Sequence, residues 1–308
     1  MDKKGVMVLS MVFLLVVSAG CQQIGGVGTR VNQREADEIG DEVHRGIKGI
    51  TLSFVKNNPP KILYTTTPLS VLVEIKNEGA ATVSGGDLHL SGIDQRIVRL
   101  DDTLKPFNAE GKSRYNLFGG FEVVEFRSQA VHLPGGTDVY KPTILASACY
   151  NYETKASPLI CIDPDPYSVL EKEACEVRDV GMAGGQGAPV AVTNVEEEAI
   201  PGRVNFKIHV SNQGGGVIID KSAQSMNRCP GDLQYADIDT VYYTVTLAGQ
   251  AGECKPDNKI KLTDGKGTLF CTFQISGDQP AYQTILNIGL SYGYLSQIST
   301  PVEIRSIS

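Results

Sequence analysis

The feature that most restricts this chain is a change of period at Gly49. From there apolar residues recur at every second position, in short runs cut by Gly, Pro, Asn or Asp. "ITLSF" sets Ile50, Leu52 and Phe54 on one face. "SVLVEIKNEG" does the same with Val71, Val73 and Ile75, then turns at Asn77-Glu78-Gly79. A spacing of two puts side chains on one face of a strand; a helix needs three or four. "GDLHLSG", "FEVVEF" and "TILASACYNY" extend the pattern without a helical interruption. Such runs, joined by turn residues, predict an all-β chain of antiparallel sandwiches.

The pattern then starts again. "GRVNFKIHVSNQGGG" points Val204, Phe206, Ile208 and Val210 inward and turns at Asn212-Gln213-Gly214. "DTVYYTVTLAG", "GTLFCTF" and "QTILNIGLSYGYL" follow. Two landmarks recur in the same order: an Asn-x-Gly turn, and Thr-Ile-Leu followed by Tyr-x-Tyr at Tyr150 and Tyr152, then at Tyr292 and Tyr294. Thr143 follows Asn77 by 66 residues, and Thr284 follows Asn212 by 72. Matched landmarks at matched spacing indicate a duplicated fold. Asp163-Pro164-Asp165-Pro166 is a rigid, extended stretch between the copies. The expected organisation is two immunoglobulin-like sandwiches, residues 47–168 and 169–308. The chain of 308 residues has room for both.

What precedes them speaks to location. Lys3 and Lys4 form a basic start, and Val6–Ala19 is apolar apart from Ser10 and Ser18. The run is short for a helix crossing about 30 Å of hydrocarbon. It suits an export signal, residues 1–20. Ser18-Ala19-Gly20-Cys21 resembles a lipobox, which would make Cys21 the lipid-bearing first residue of the mature chain. Plain secretion is one alternative. Another is pilin-like processing after Gly5, with the apolar run kept for a filament. Residues 21–46 are polar and too poor in apolar side chains to fold alone, and they read as a tether.

Six further cysteines support an oxidising compartment. Cys149 and Cys161 lie symmetrically about Lys155, which suggests facing strands of one hairpin. Cys254 and Cys271 flank the turn Asp264-Gly265-Lys266-Gly267. Elimination leaves Cys175 with Cys229. There is no CxxC and no histidine beside a cysteine, so no zinc site is expected.

Chemistry-bearing motifs are scarce. His44, His89, His132 and His209 lie far apart in sequence, with His89 and His209 at outward strand positions. No Gly-x-Ser-x-Gly or His-Glu-x-x-His occurs. "GMAGGQGAP" lacks the Gly-Lys-Ser/Thr of a phosphate cradle and reads as a loop. Asp163 with Asp165, and Asp237 with Asp239, offer paired carboxylates to Ca²⁺, but at lower ligand density than an EF-hand. Turn-forming Asp is the simpler reading. Tyr150, Tyr152, Tyr292 and Tyr294 read as core-edge residues with hydroxyls at the rim. A net charge of −7 without a basic cluster argues against nucleic acid.

A strand ending in Asn-x-Gly before a Val-rich strand resembles the CARDB-type immunoglobulin-like modules of prokaryotic surface proteins. "GIKGITLSFVKNNPP", "CYNYETKASPLICIDPDPYS", "GGQGAPVAVTNVEEE" and "KIKLTDGKGTLFCTF" together resemble a family of exported, lipoprotein-like envelope proteins of small-genome archaea. The resemblance implies tandem immunoglobulin-like domains on the outer face of the cytoplasmic membrane, and it carries no activity or site residues. The expectation is a non-enzymatic, lipid-anchored surface protein with a structural, adhesive or protein-binding role. It would have no catalytic residues, no metal and no small-molecule cofactor, and its partners would be the membrane and envelope proteins. The alternatives are a pilin-like filament subunit and an accessory subunit of an envelope enzyme or transporter.

Overall fold

The computed structural model describes residues 42–167, 174–276 and 280–307. The expected signal 1–20, Cys21, most of the 21–46 tether and the junction at 168–169 lie outside the described residues. The first half carries β1 (Ile50–Phe54), β2 (Ile62–Tyr64), β3 (Pro68–Asn77), β4 (Val83–Ser91), β5 (Leu104–Ala109), β6 (Phe121–Ala130), β7 (Val139–Tyr140), β8 (Thr143–Ala156) and β9 (Leu159–Ile162). The second carries β10 (Val180–Gly181), β11 (Val190–Ile200), β12 (Arg203–Asn212), β13 (Val217–Ile219), β14 (Thr240–Leu247), β15 (Gln250–Ala251), β16 (Glu253–Lys255), β17 (Lys259–Lys261), β18 (Lys266–Gln274), β19 (Tyr282–Pro301) and β20 (Glu303–Arg305). The only complete helix among the described residues is the single turn α1 (Ala223–Met226). The chain is all-β, with antiparallel sheets, as its period-two pattern requires.

The pattern explains which faces are buried. In β3 the side chains of Val71, Val73 and Ile75 are fully enclosed, while the alternate residues stay partly exposed. In β12 the same holds for Val204, Phe206, Ile208 and Val210. Each such side chain contributes about 1.5–3 kcal/mol when buried. The order β1-β3-β6 in the first half matches β11-β12-β18 in the second, where β10 and β16 add edges. Opposite them, β8-β4-β5 and β19-β14-β15 belong to one continuous sheet, because β8 pairs with β19. One core cluster runs through both halves.

The β8–β19 pairing has a local two-fold character. It extends from Thr143↔Pro301 to Ala156↔Ile288, and Asn151 faces Gly293 at its centre of symmetry. On either side, Tyr150 faces Tyr294 and Tyr152 faces Tyr292. All four rings are buried, with neighbouring centroids 5.9–6.4 Å apart. Their hydroxyl bonds repeat in pairs. Tyr152 Oη donates to Asn77 Oδ1 at 3.1 Å, and Tyr294 Oη to Asn212 Oδ1 at 3.0 Å. Tyr150 meets Ser296 Oγ at 3.0 Å, and Tyr292 meets Thr154 Oγ1 at 3.0 Å. Ser296 then donates to the Ile50 carbonyl and Thr154 to the Val190 carbonyl. The tyrosines are thus at the centre of the molecule, and the expectation of hydroxyls at a solvent rim is corrected. A buried phenol is tolerated because its hydroxyl finds a partner. Burial pushes all four phenols above their ordinary range.

Two features break the symmetry. β4 is one continuous strand that pairs with β8 from Asp87↔Cys149 to Ser91↔Leu145, whereas β13 and β14 share the corresponding edge of β19 and are separated by residues 220–239, which hold α1 and a 3-10 turn at Tyr235–Asp237. Beyond β19, β20 crosses back to pair with β2 and β7 of the first half.

The disulfides need correction. The segment around Lys155 is no hairpin: β8 and β9 run in one direction along β19, with a break at Ser157-Pro158. Alternation continues through "NYETKA", which has no Gly or Asn-Gly pair to reverse it. On one extended path Cys149 and Cys161 stand roughly 40 Å apart, beyond any disulfide. Cys149 instead bonds Cys229 in the 220–239 excursion and so ties the halves together. Cys161 bonds Cys175. Cys254 and Cys271 are paired as expected, directly opposite each other on β16 and β18.

Candidate functional site

A cleft of about 630 Å³ lies beside the β8–β19 junction. Asn151, Glu153 and Lys155 alternate on the outer face of β8, opposite the tyrosines, and reach it together with Ser291 of β19. Ala81, Thr82 and Ser84 bound one side, where the Asn77-x-Gly79 turn leads into β4. Lys221, at the start of the 220–239 excursion, bounds another. His44, Ala80, Gln186 and the strand residues Tyr152 and Tyr292 complete the lining.

Local chemistry fixes these walls. Asn77 is fully buried; its amide donates to the Ala81 and Ala109 carbonyls while its oxygen accepts from Tyr152 and the Gly79 N–H. Gln186 is held by the backbone of Val192, accepting from its N–H at 2.9 Å and donating to its carbonyl at 3.1 Å. The glycine-rich loop 181–189 is therefore a latch, with Gly184, Gly185 and Gly187 at positive φ beside the entering chain at Gly46. Lys221 Nζ donates to Ser291 Oγ at 2.7 Å and lies 4.9 Å from the Tyr242 ring centre. Asp220 accepts from Tyr242 Oη and the Ser222 N–H and pairs with Lys259 at 3.3 Å. Burial raises the Asp220 carboxyl, but the hydrogen bonds from Ser222, Lys259 and Tyr242 outweigh it and hold it below its ordinary value.

With two ammonium groups, one carboxylate, the Asn151 amide and several hydroxyls, the cleft can hydrogen-bond a polar ligand or peptide segment. No three His, Cys, Asp or Glu side chains converge for a metal among the described residues. Of the four histidines only His44 reaches the cleft. His89 is half-buried on the outer face of β4, where desolvation lowers its pKa against the pull of Asp87. His209 Nε2 lies 2.6 Å from Glu196, which also pairs with Lys207. His132 Nδ1 lies 2.9 Å from the Ala130 carbonyl. Asp163 caps the Asp165 N–H, the turn role read from sequence.

Asp237 closes the 3-10 turn, and its carboxylate is engaged within the fold. It is buried and accepts from Ser225 Oγ at 2.6 Å, the Gln234 N–H at 2.9 Å and Arg228 Nη1 at 2.9 Å. These bonds hold its carboxyl down at about 2. The cluster braces the excursion that Cys229 bonds to Cys149. A second unusual carboxyl was not singled out by any motif. Glu197 occupies the register position opposite Phe206, whose side chain is in the core. Its two oxygens are shielded from solvent and accept no hydrogen bond of ordinary geometry from the described residues. Burial pushes the group up to about 8, tempered by the nearby Cys161 backbone. The sequence signal was the alternation itself: an acidic residue in phase with Val195 across from Phe206.

No protein-family model matches the chain, and no curated protein matches it.

Proposed function

We propose that the protein is a non-catalytic module of the cell envelope, exported, held at the membrane through a lipid on Cys21, and presenting a rigid body with a polar cleft to an envelope partner. The observation that carries this reading is the Cys149–Cys229 disulfide across the junction of the two halves, with two further disulfides at Cys161–Cys175 and Cys254–Cys271. Such bonds form and persist in oxidising compartments. The apolar run ending at Cys21 supplies a route there. The cleft lies where the chain enters the fold, and its Lys155, Lys221 and Glu153 suit a polar, charged partner segment better than an apolar one.

The test is the mature N-terminus, measured by intact-mass spectrometry of protein extracted from native membranes. A lipid-modified Cys21 is the expected result, with the Cys21→Ser chain recovered in the soluble fraction. A chain beginning at Val6 and assembled into filaments would overturn the reading.

A further inference from the structure

The two halves close the same corner differently. In the second half the backbone N–H of Asn212 bonds the carbonyl of Gly265, and a tight turn at Asp264-Gly265 leads into β18. In the first half the equivalent N–H of Asn77 bonds the carbonyl of Gly120, but residues 111–120, "GKSRYNLFGG", stand out as a loop before β6. The fold does not need this loop, since its own second copy does without one.

The loop is built rather than slack. Ser113 and Asn116 exchange two backbone hydrogen bonds, Asn116 Nδ2 donates to the Gly119 carbonyl and Asn116 Oδ1 accepts from the Phe118 N–H. What this framework presents is apolar. Tyr115 is 91% exposed, Phe118 79% and Phe121 61%, and Val123 follows on the same outer face of β6. Lys112 and Arg114 flank the aromatics; Glu110 and Glu122 lie at the base, where Glu122 accepts from the Asn108 N–H. Three exposed aromatics within seven residues of one loop mark an interaction surface.

The path of the chain says which one. The Lys112 N–H bonds the Gly79 carbonyl, the Glu78 N–H bonds the Gly49 carbonyl and Lys48 pairs with Glu78 at 2.9 Å. The base of the loop and the segment Lys48–Gly49 therefore share one turn, Asn77–Ala80. Upstream of them lie the tether, Cys21 and the apolar run. We propose that the loop 112–121 is a second, reversible contact with the bilayer that holds the N-terminus, with Tyr115, Phe118 and Phe121 seated among the lipid headgroups beside Lys112 and Arg114. This rests on the anchored reading above. Aromatic side chains favour that interfacial layer. A short tether keeps the loop at an effective concentration in the millimolar range, so a weak contact suffices.

The chain contains no Trp, so Phe118→Trp introduces a single reporter. Tyr235→Trp, at a site 80% exposed on the other half, is the comparison. Full-length protein is reconstituted into phosphatidylcholine–phosphatidylglycerol vesicles with and without brominated acyl chains, and flotation is scored in the same samples. The expected result is a blue-shifted Phe118→Trp emission, quenched several-fold more strongly by the brominated lipid than that of Tyr235→Trp. Protein that floats while both reporters stay equally solvent-like overturns the loop contact and leaves the anchor standing. Protein that does not float overturns both. A blue shift that appears without lipid as protein concentration rises identifies a second copy as the occupant and overturns the proposal.

Discussion

The two halves share a framework and differ in what they hang on it. Asn77 and Asn212 each end the strand that centres a three-strand row, and each takes the hydroxyl of a tyrosine from the last long strand of its half. The repeated bonds around Tyr150, Tyr152, Tyr292 and Tyr294 are the shared part. The first half adds the aromatic loop 111–120, and the second adds the excursion 220–239 with its Arg228–Asp237 pair and Cys229. The difference teaches where function can sit: paired, buried positions hold the fold, while unmatched segments are free to serve a partner.

The strongest way to break the comparison is to cut its cross-link. Cys149→Ala with Cys229→Ala opens a bridge between residues 80 apart, for which loop closure predicts a loss of about 4.5 kcal/mol. Removing Cys254–Cys271, which spans 17, is expected to cost about 3 kcal/mol. Urea unfolding of both double variants checks the order; equal stability of the Cys149/Cys229 variant and the parent would contradict the bracing role. Next come the two asparagines. Asn77 is fully enclosed and donates to two carbonyls, whereas Asn212 is partly exposed and donates to the Gly216 carbonyl. Asn77→Ala is expected to cost about 3 kcal/mol and Asn212→Ala about half of that, because unpaired buried groups carry the larger penalty. Equal losses would show that the two turns are energetically equivalent despite their different burial.

The sequence exposed the framework more readily than the attachments. Strand faces such as Val71-Val73-Ile75 were legible because period two is local, and the turn at Asp264-Gly265 was legible because both residues take positive φ, 51° and 72°. The pairing of β8 with β19 was not. Both strands alternate alike, and nothing local states which edge meets which, so a strand through Lys155 passed for a hairpin and two disulfides were given the wrong partners. The excursion 220–239 carried no motif that announced it, since its brace is a pairing of Arg228 with Asp237 across nine residues of irregular chain between β13 and β14. The cleft was equally hidden, being assembled from β8, the turn after β3 and Lys221.

Glu197 sharpens the contrast at lower cost. It has no buried acidic counterpart on β1, whose inward residues are Ile50, Leu52 and Phe54. Its ordinary value is 4.5 and its folded value is about 8. Between these the folded chain keeps a proton that the unfolded chain has released, so the stability it contributes is full below 4.5 and lost as pH rises through 8. Glu197→Gln removes that dependence. Above pH 8 the variant is expected to exceed the parent by about 2 kcal/mol, a figure reduced for the solvent screening of a partly accessible side chain. Melting curves from pH 5 to 9 that keep parallel slopes would show that Glu197 does not titrate in this range.

The smallest stability effect belongs to the most conspicuous side chains. Tyr115→Ser with Phe118→Ser removes two large aromatics, yet both project into solvent and the loop's hydrogen bonds run through Ser113, Asn116 and Gly119. Unfolding free energy should change by less than about 0.5 kcal/mol, as for surface positions without a structural role. A core ring from the matched framework, such as Phe206, should by contrast cost about 3–5 kcal/mol when cut to Ala. If the double loop variant instead loses several kcal/mol, the aromatics stabilise the first half itself and the loop becomes part of the framework. If stability holds, the sequence is keeping Tyr115 and Phe118 in water at no benefit to the fold, and the reason for them has to lie outside the chain.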